Sequence, residues 1–159
     1  IKKIYSIIEA LQFNFKIKKM NIAVSGLNPH SGENGKIGKE ENQIIKPVIE
    51  YFRKNNFKVD GPISGDSIFL KKNIIKYDCI ITMYHDQALI PFKLLNFYSG
   101  VNFTSGIDII RTSPCHGTAY DVVGKKIANE KSLYNAIILA NKIYKNRKQC
   151  QKNHWGKIF

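Results

Sequence analysis

Cys79-Ile80-Ile81-Thr82-Met83-Tyr84-His85-Asp86-Gln87 passes from an apolar, β-branched run into a polar turn, and Ala88 to Leu95 follows with amphipathic spacing. The first part predicts a buried strand and the last a helix. A strand end that turns into a helix start is where an open α/β sheet places its ligands, because loop side chains and free helix N–H groups converge there. His85 is therefore a candidate for a cleft; a satisfied structural histidine is the alternative.

Working outward, the strand is predicted over Ile74 to Thr82, preceded by a short strand at Phe57 to Val59. Between them Gly61-Pro62-Ile63-Ser64-Gly65-Asp66 reads as a turn, with Asp66 or Ser67 capping a short helix that reaches about Lys72. Ile44, Ile45, Val48, Ile49 and Phe52 recur at helical spacing; Pro47 kinks that helix or marks its first turn, and Asn55-Asn56 closes it. Asn28 to Gly35 is dense in Gly, Asn and Pro and reads as a loop, after a strand centred on Ile22-Ala23-Val24. Ile1, Ile4, Ile8, Leu11 and Phe15 mark one face of an opening helix whose apolar stripe needs a cover. Downstream, Val101 to Thr104 and Ile107 to Thr112 read as extended, and Ser113 to Thr118 as a loop. Leu133, Ala136, Ile137, Ala140, Ile143 and Tyr144 read as a helix with Ser132 as N-cap. Alternating elements predict an α/β fold with an open parallel or mixed sheet flanked by helices. Residues 1–145 form its body and residues 146–159 a basic polar tail that frays. A start at Ile1, directly in a helix, reads as the interior of a longer protein.

The 159 residues carry a formal charge of +13, yet only three of the 25 basic residues are Arg (Arg53, Arg111, Arg147). The chain is rich in Lys, Ile and Asn together, the residues of A/T-only codons, so coding bias accounts for most of the basicity. The lysines are scattered, which argues against nucleic acid and equally suits a phosphorylated or carboxylate substrate. Three cysteines without a CxxC pair suggest neither a disulfide framework nor a thiolate zinc site, and point to a reducing, cytoplasmic setting.

Three loops, Asn28–Gly35, Tyr84–Gln87 and Ser113–Thr118, each hold one His. Imidazoles that meet at one sheet edge are natural ligands for Zn²⁺ or another divalent metal, with Asp86 as an orienting group or further ligand. In the plainer reading His30 merely sits in solvent on a turn.

Five stretches carry a family resemblance: Gly26-Leu27-Asn28-Pro29-His30-Ser31-Gly32-Glu33, Asp60-Gly61-Pro62 with Asp66-Ser67-Ile68-Phe69, Met83 to Leu89, Gly100-Val101-Asn102, and Ile109 to Pro114 with His116 to Ala119. Together, from about Asn21 to about Ala140, they resemble the 4-hydroxythreonine-4-phosphate dehydrogenases of pyridoxal phosphate biosynthesis. The resemblance implies a fold related to isocitrate and isopropylmalate dehydrogenases, of which this chain is the C-terminal half. It implies NAD(P)- and metal-dependent oxidation of 4-phosphooxy-L-threonine to a 3-oxo acid, which decarboxylates to 3-amino-2-oxopropyl phosphate. The metal would be zinc, magnesium or cobalt, and the enzyme a cytoplasmic homodimer.

Residue by residue, the resemblance makes His30 and His85 two of three metal ligands. Lys93, Asn102 and Arg111 become substrate-binding positions, with His85 and Lys93 catalytic. His116, Gly117, Thr118, Asp121 and Asn129 match a cofactor loop of the isopropylmalate dehydrogenase relatives. Cys115 and Asp108 stand where the family usually has Asp and Pro. The third His lies in an N-terminal half that a separate chain could supply. The competing readings are a catalytically inactive truncated remnant with residual metal or dinucleotide binding and, outside the enzyme class, a basic nucleic-acid binder.

Overall fold

The computed structural model describes residues 1–115, 120, 123–125 and 127–155, with side chains to residue 150. The chain forms two compact units, one of Lys19–Pro91 and one of Ile1–Lys18 with Phe92–Phe159.

In the Lys19–Pro91 unit, β1 (Asn21–Ser25) lies between β2 (Lys58–Ile63) and β3 (Cys79–Ile81), all parallel, in the order β2-β1-β3. Ile22, Ala23, Val24 and Ser25 are all buried, as expected of a central strand covered on both faces. The connection from β1 to β2 runs through a π-helical turn, Glu41–Ile45, into α2 (Lys46–Lys54). Pro47 falls in the first turn of α2, directly after the π-helical turn. Ile49 and Phe52 face β2 at 1% and 0% exposure, and burying each contributes roughly 2–3 kcal/mol. Two short helices, α3 (Gly65–Ile68) and α4 (Lys71–Ile74), lead to β3, and α5 (His85–Asn96) begins directly after it.

The other unit contains α1 (Lys2–Phe13), an antiparallel pair of β4 (Val101–Thr104) and β5 (Arg111–Pro114), and the long α6 (Lys131–Trp155) packed on that pair. Ile4, Ile8 and Leu11 of α1 are buried, and α1 packs on α6. Among the described residues no helix is long and apolar enough to cross a membrane.

Several local expectations are corrected. Gly61-Pro62 is no turn: β2 runs through it to Ile63, with one extra residue against β1 between the pairs Ala23↔Asp60 and Ser25↔Ile63. Gly61 has φ 138°, and a Cβ there would run into the Val24 carbonyl, so glycine is the residue that lets the bulged strand pass so close. The short helix caps at Ser64, whose hydroxyl is 2.5 Å from Asp66 Oδ1, rather than at Asp66 or Ser67. β3 is only Cys79–Ile81 because Ile74 still belongs to α4. The second extended run is Arg111–Pro114 instead of Ile107–Thr112. Ser132 lies inside α6, where its buried hydroxyl donates to the Gly100 carbonyl at 2.5 Å and accepts the Cys115 N–H at 3.1 Å. α6 continues past Lys145: Asn146 Nδ2 donates to the Asn14 carbonyl, and Arg147 donates to Asn14 Oδ1 and the Asp108 carbonyl, each at 2.7 Å.

Candidate active site

Strand order β2-β1-β3 means that the chain leaves β1 toward one side of the sheet and returns to β3 on the other. The carboxyl ends of β1 and β3 therefore flank a topological switch point, where open α/β sheets bind ligands. Both histidines of the predicted pair follow these ends, His30 in the segment after β1 and His85 at the start of α5 after β3.

The segment after β1 is more ordered than a loop. His30, Ser31, Gly32, Glu33 and Asn34 have φ of 50°, 56°, 75°, 41° and 58°, a left-handed turn within Pro29–Gly35. That conformation costs roughly 1–2 kcal/mol per non-glycine residue, so other contacts must impose it. Glu41, at the start of the π-helical turn, anchors the two residues that lead into the left-handed turn. Its side chain is 1% exposed; Oε1 accepts the N–H of Leu27 at 2.8 Å and of Asn28 at 2.7 Å, and Oε2 accepts Asn28 Nδ2 at 2.8 Å. Burial pushes the Glu41 carboxyl up, but the bonds from Asn28 and its other donors outweigh it and hold the group below the usual carboxylate range. A Cβ on Gly32 would lie 2.6 Å from Glu41 Oε2, so glycine allows the turn to close on the carboxylate. The sequence reading missed Glu41; its place in an acidic pair at the foot of an apolar helix was the available signal.

His85 and His30 are both exposed. Asp86 Oδ1 lies 2.7 Å from His85 Nδ1. A neutral imidazole that donates to Asp86 from Nδ1 leaves the Nε2 lone pair for a ligand, the tautomer of a metal-ligating imidazole. Asp66 is held below its usual range first by the Ser64 hydroxyl, against a smaller effect of burial, and further by the field of His30. Two imidazoles, one backed by a carboxylate, suit a divalent transition metal in kind. They are too few to close a site: among the described residues no three His, Cys, Asp or Glu side chains gather as a metal would require.

The remaining predicted residues belong to the other unit. Asn102 opposes Ser113 and Thr104 opposes Arg111 across the β4–β5 pair, so Asn102 and Arg111 share one face. Both are exposed, and Arg111 NH1 donates to Thr104 Oγ1 at 2.9 Å. Lys93 is exposed on α5; burial raises the Cys115 thiol against the pull of the Lys93 ammonium. Asn129 accepts the Lys131 N–H at 3.0 Å and so caps α6. His116, Gly117, Thr118 and Asp121 lie outside the described residues.

The chain is similar to known proteins over most of its length. The 4-hydroxythreonine-4-phosphate dehydrogenase of Caulobacter vibrioides is 47% identical over 139 residues, covering 87% of this chain and 42% of that protein. The crystal structure of the enzyme of the same name from Klebsiella pneumoniae superposes with a TM-score of 0.72 at 38% identity, over 88% of this chain and 42% of that one. A terephthalate 1,2-cis-dihydrodiol dehydrogenase from Burkholderia xenovorans matches at 29% identity and a TM-score of 0.66, over 87% of this chain and 44% of that one. The chain thus spans somewhat over two fifths of the length of these relatives. A family model described as pyridoxal phosphate biosynthetic protein PdxA matches residues 1–140, and this chain belongs to that family.

Proposed function

We propose that this chain is the C-terminal portion of an NAD(P)-dependent dehydrogenase that oxidises 4-phosphooxy-L-threonine to a 3-oxo acid, which then loses CO₂ to give 3-amino-2-oxopropyl phosphate. The fold would be that of the isocitrate and isopropylmalate dehydrogenases, here represented by about half. The observation that carries the reading is the delivery of His30 and His85 from the carboxyl ends of the two strands at the switch point, in a chain 47% identical to a dehydrogenase of this name.

In this reading His30 and His85 hold a divalent ion, zinc, magnesium or cobalt, and Asp86 fixes the His85 tautomer through the 2.7 Å contact. When bound, that ion would supply Lewis acidity at the substrate alcohol and the dinucleotide would supply a hydride acceptor. Lys93 and Arg111 offer positive charge to the phosphate and carboxylate of the substrate, and Asn102, on the face it shares with Arg111, offers a directional hydrogen bond. Residues 116–121 would line the dinucleotide. Asn129, whose carboxamide oxygen is committed to the start of α6, would act there through its amide group. A third metal ligand, the homodimer and a cytoplasmic setting belong to the same proposal.

The test is co-expression of this chain with the N-terminal portion of the Caulobacter vibrioides relative, followed by NADH or NADPH formation on 4-phosphooxy-L-threonine. Activity that is present with the parent chain and lost with His30→Ala and with His85→Ala supports the reading. A folded, assembled pair that stays inactive with either dinucleotide refutes it.

A further inference from the structure

The last paired rung between β1 and β3 is Val24↔Ile81; beyond it the two strands separate into the His30 and His85 segments. Backbone pairing therefore stops before either histidine is reached. One side chain continues it. Gln87 Oε1 accepts the Ser25 hydroxyl at 2.6 Å and the Met83 N–H at 2.8 Å, while Nε2 donates to the Gly26 carbonyl at 2.8 Å. Only this orientation of the carboxamide satisfies all three, since the Met83 N–H can only donate and the Gly26 carbonyl can only accept. Ser25 and Gly26 are buried and Gln87 is half-buried, so water competes poorly for these groups. Gly65 makes room: a Cβ there would sit 2.9 Å from Gln87 Nε2. The next two N–H groups along the β1 exit, those of Leu27 and Asn28, pass to Glu41.

We propose that Gln87 is a positioning residue whose carboxamide replaces the missing rung of the sheet and sets the separation of the His30 and His85 segments. Its three bonds go to Ser25, Gly26 and Met83 rather than to an imidazole. It acts by tying the β1 exit, four to five residues before His30, to Met83, two residues before His85. The proposal rests on the reading of the two histidines as a metal-binding pair. It adds that the pair is spaced by a neutral side chain capable of both donating and accepting. A methionine of similar length would fill the space and make none of the three bonds; a glutamate would keep the two that Oε1 accepts and lose the donor to Gly26.

The experiment is a Co²⁺ titration of the full 159-residue chain, followed by visible absorption and calorimetry. It is run on the parent, Gln87→Glu, Gln87→Met, His30→Ala and His85→Ala, with urea unfolding and amide hydrogen exchange on each. The expected result is a Co²⁺ affinity lowered about 10–100-fold in Gln87→Met and by less in Gln87→Glu, in samples that still unfold cooperatively. Parent-like affinity in Gln87→Met, with binding lost in the two His variants, overturns the proposal and leaves the metal reading intact. Absence of Co²⁺ binding in the parent overturns the reading of His30 and His85 as a pair that binds metal without a third ligand. The Met83 amide then decides for Gln87: faster exchange in Gln87→Met upholds the tie between the segments, and unchanged exchange overturns it.

Discussion

Replacing Glu41 by Gln removes a charge from the base of the His30 turn while keeping the shape of the side chain. Oε1 can still accept from Leu27 and Asn28, but the new amide group confronts Asn28 Nδ2, so two donors face each other where a 2.8 Å bond stood. Losing a hydrogen bond to a charged acceptor costs about 1.5–3 kcal/mol, and the other two weaken with the charge. The neutral group is in turn cheaper to bury, which offsets part of this. The net expectation is a loss of about 2 kcal/mol. Urea unfolding followed by far-UV circular dichroism should show this as a fall of about 1 M in the midpoint at pH 7, taking m of about 2 kcal/mol/M. The acid dependence gives the sharper check. The folded Glu41 carboxyl lies below its ordinary 4.5, so the stability it contributes is present above that pH and is lost as pH falls through the lower folded value. The gap between parent and Glu41→Gln should therefore be full at pH 7 and close below pH 4.5. Asp66, also lowered, titrates in both proteins and cancels in the comparison, whereas Glu40 is coupled to Glu41 through its charge and through Asn28, so the double variant Glu40→Gln with Glu41→Gln is compared with Glu40→Gln alone. Equal midpoints at pH 7, or a gap that stays open in acid, would refute the argument that an ionised Glu41 holds the turn.

Two further outcomes follow from the same geometry and burial. Gly32→Ala must accept φ +75° and a Cβ 2.6 Å from Glu41 Oε2, so it should lose about 2–4 kcal/mol in the same urea assay, and less than additively when combined with Glu41→Gln. Burial, helped by Asp78, raises the Cys79 thiol from 9.0 to about 11; the folded state thus favours the thiol, with that stability present below pH 9 and lost as pH rises toward 11. Iodoacetamide at pH 8 should leave Cys79 unmodified in the folded chain and alkylate it in urea; equal labelling in both states would contradict the burial argument.

The periodic elements were legible because their cause is local. Ile4, Ile8 and Leu11 at helical spacing gave α1, and the apolar run of β1 gave a strand buried on both faces. The errors fall where distant contacts override a local signal. Gly61-Pro62 carries the composition of a turn, yet β1 holds it in a strand because Val24 passes too close for any side chain at position 61. Asn28–Gly35 carries the composition of a loop, yet it winds left-handed from an Asn28 that Glu41, some 13 residues further on, holds in place. The apolar face of α1 was expected to need a cover, and α6 packs against it.

For the candidate site the division follows the same line. The residues legible in the sequence are those with a reactive group, His30, His85, Lys93 and Arg111, since chemistry is a property of the residue itself. Those that hold the two histidines in place are Glu41 and Gln87, and holding is a property of a pair: Gln87 meets Ser25 and Gly26 across 62 and 61 positions. Gln87 was quoted within the Met83 to Leu89 motif without a role, because a glutamine at a helix start is equally at home in solvent. What distinguishes it is the buried carbonyl and hydroxyl that only its carboxamide can satisfy together. The proposed site is therefore specified twice, once by the residues assigned to its chemistry and once by polar residues that complete the sheet where its ladder ends.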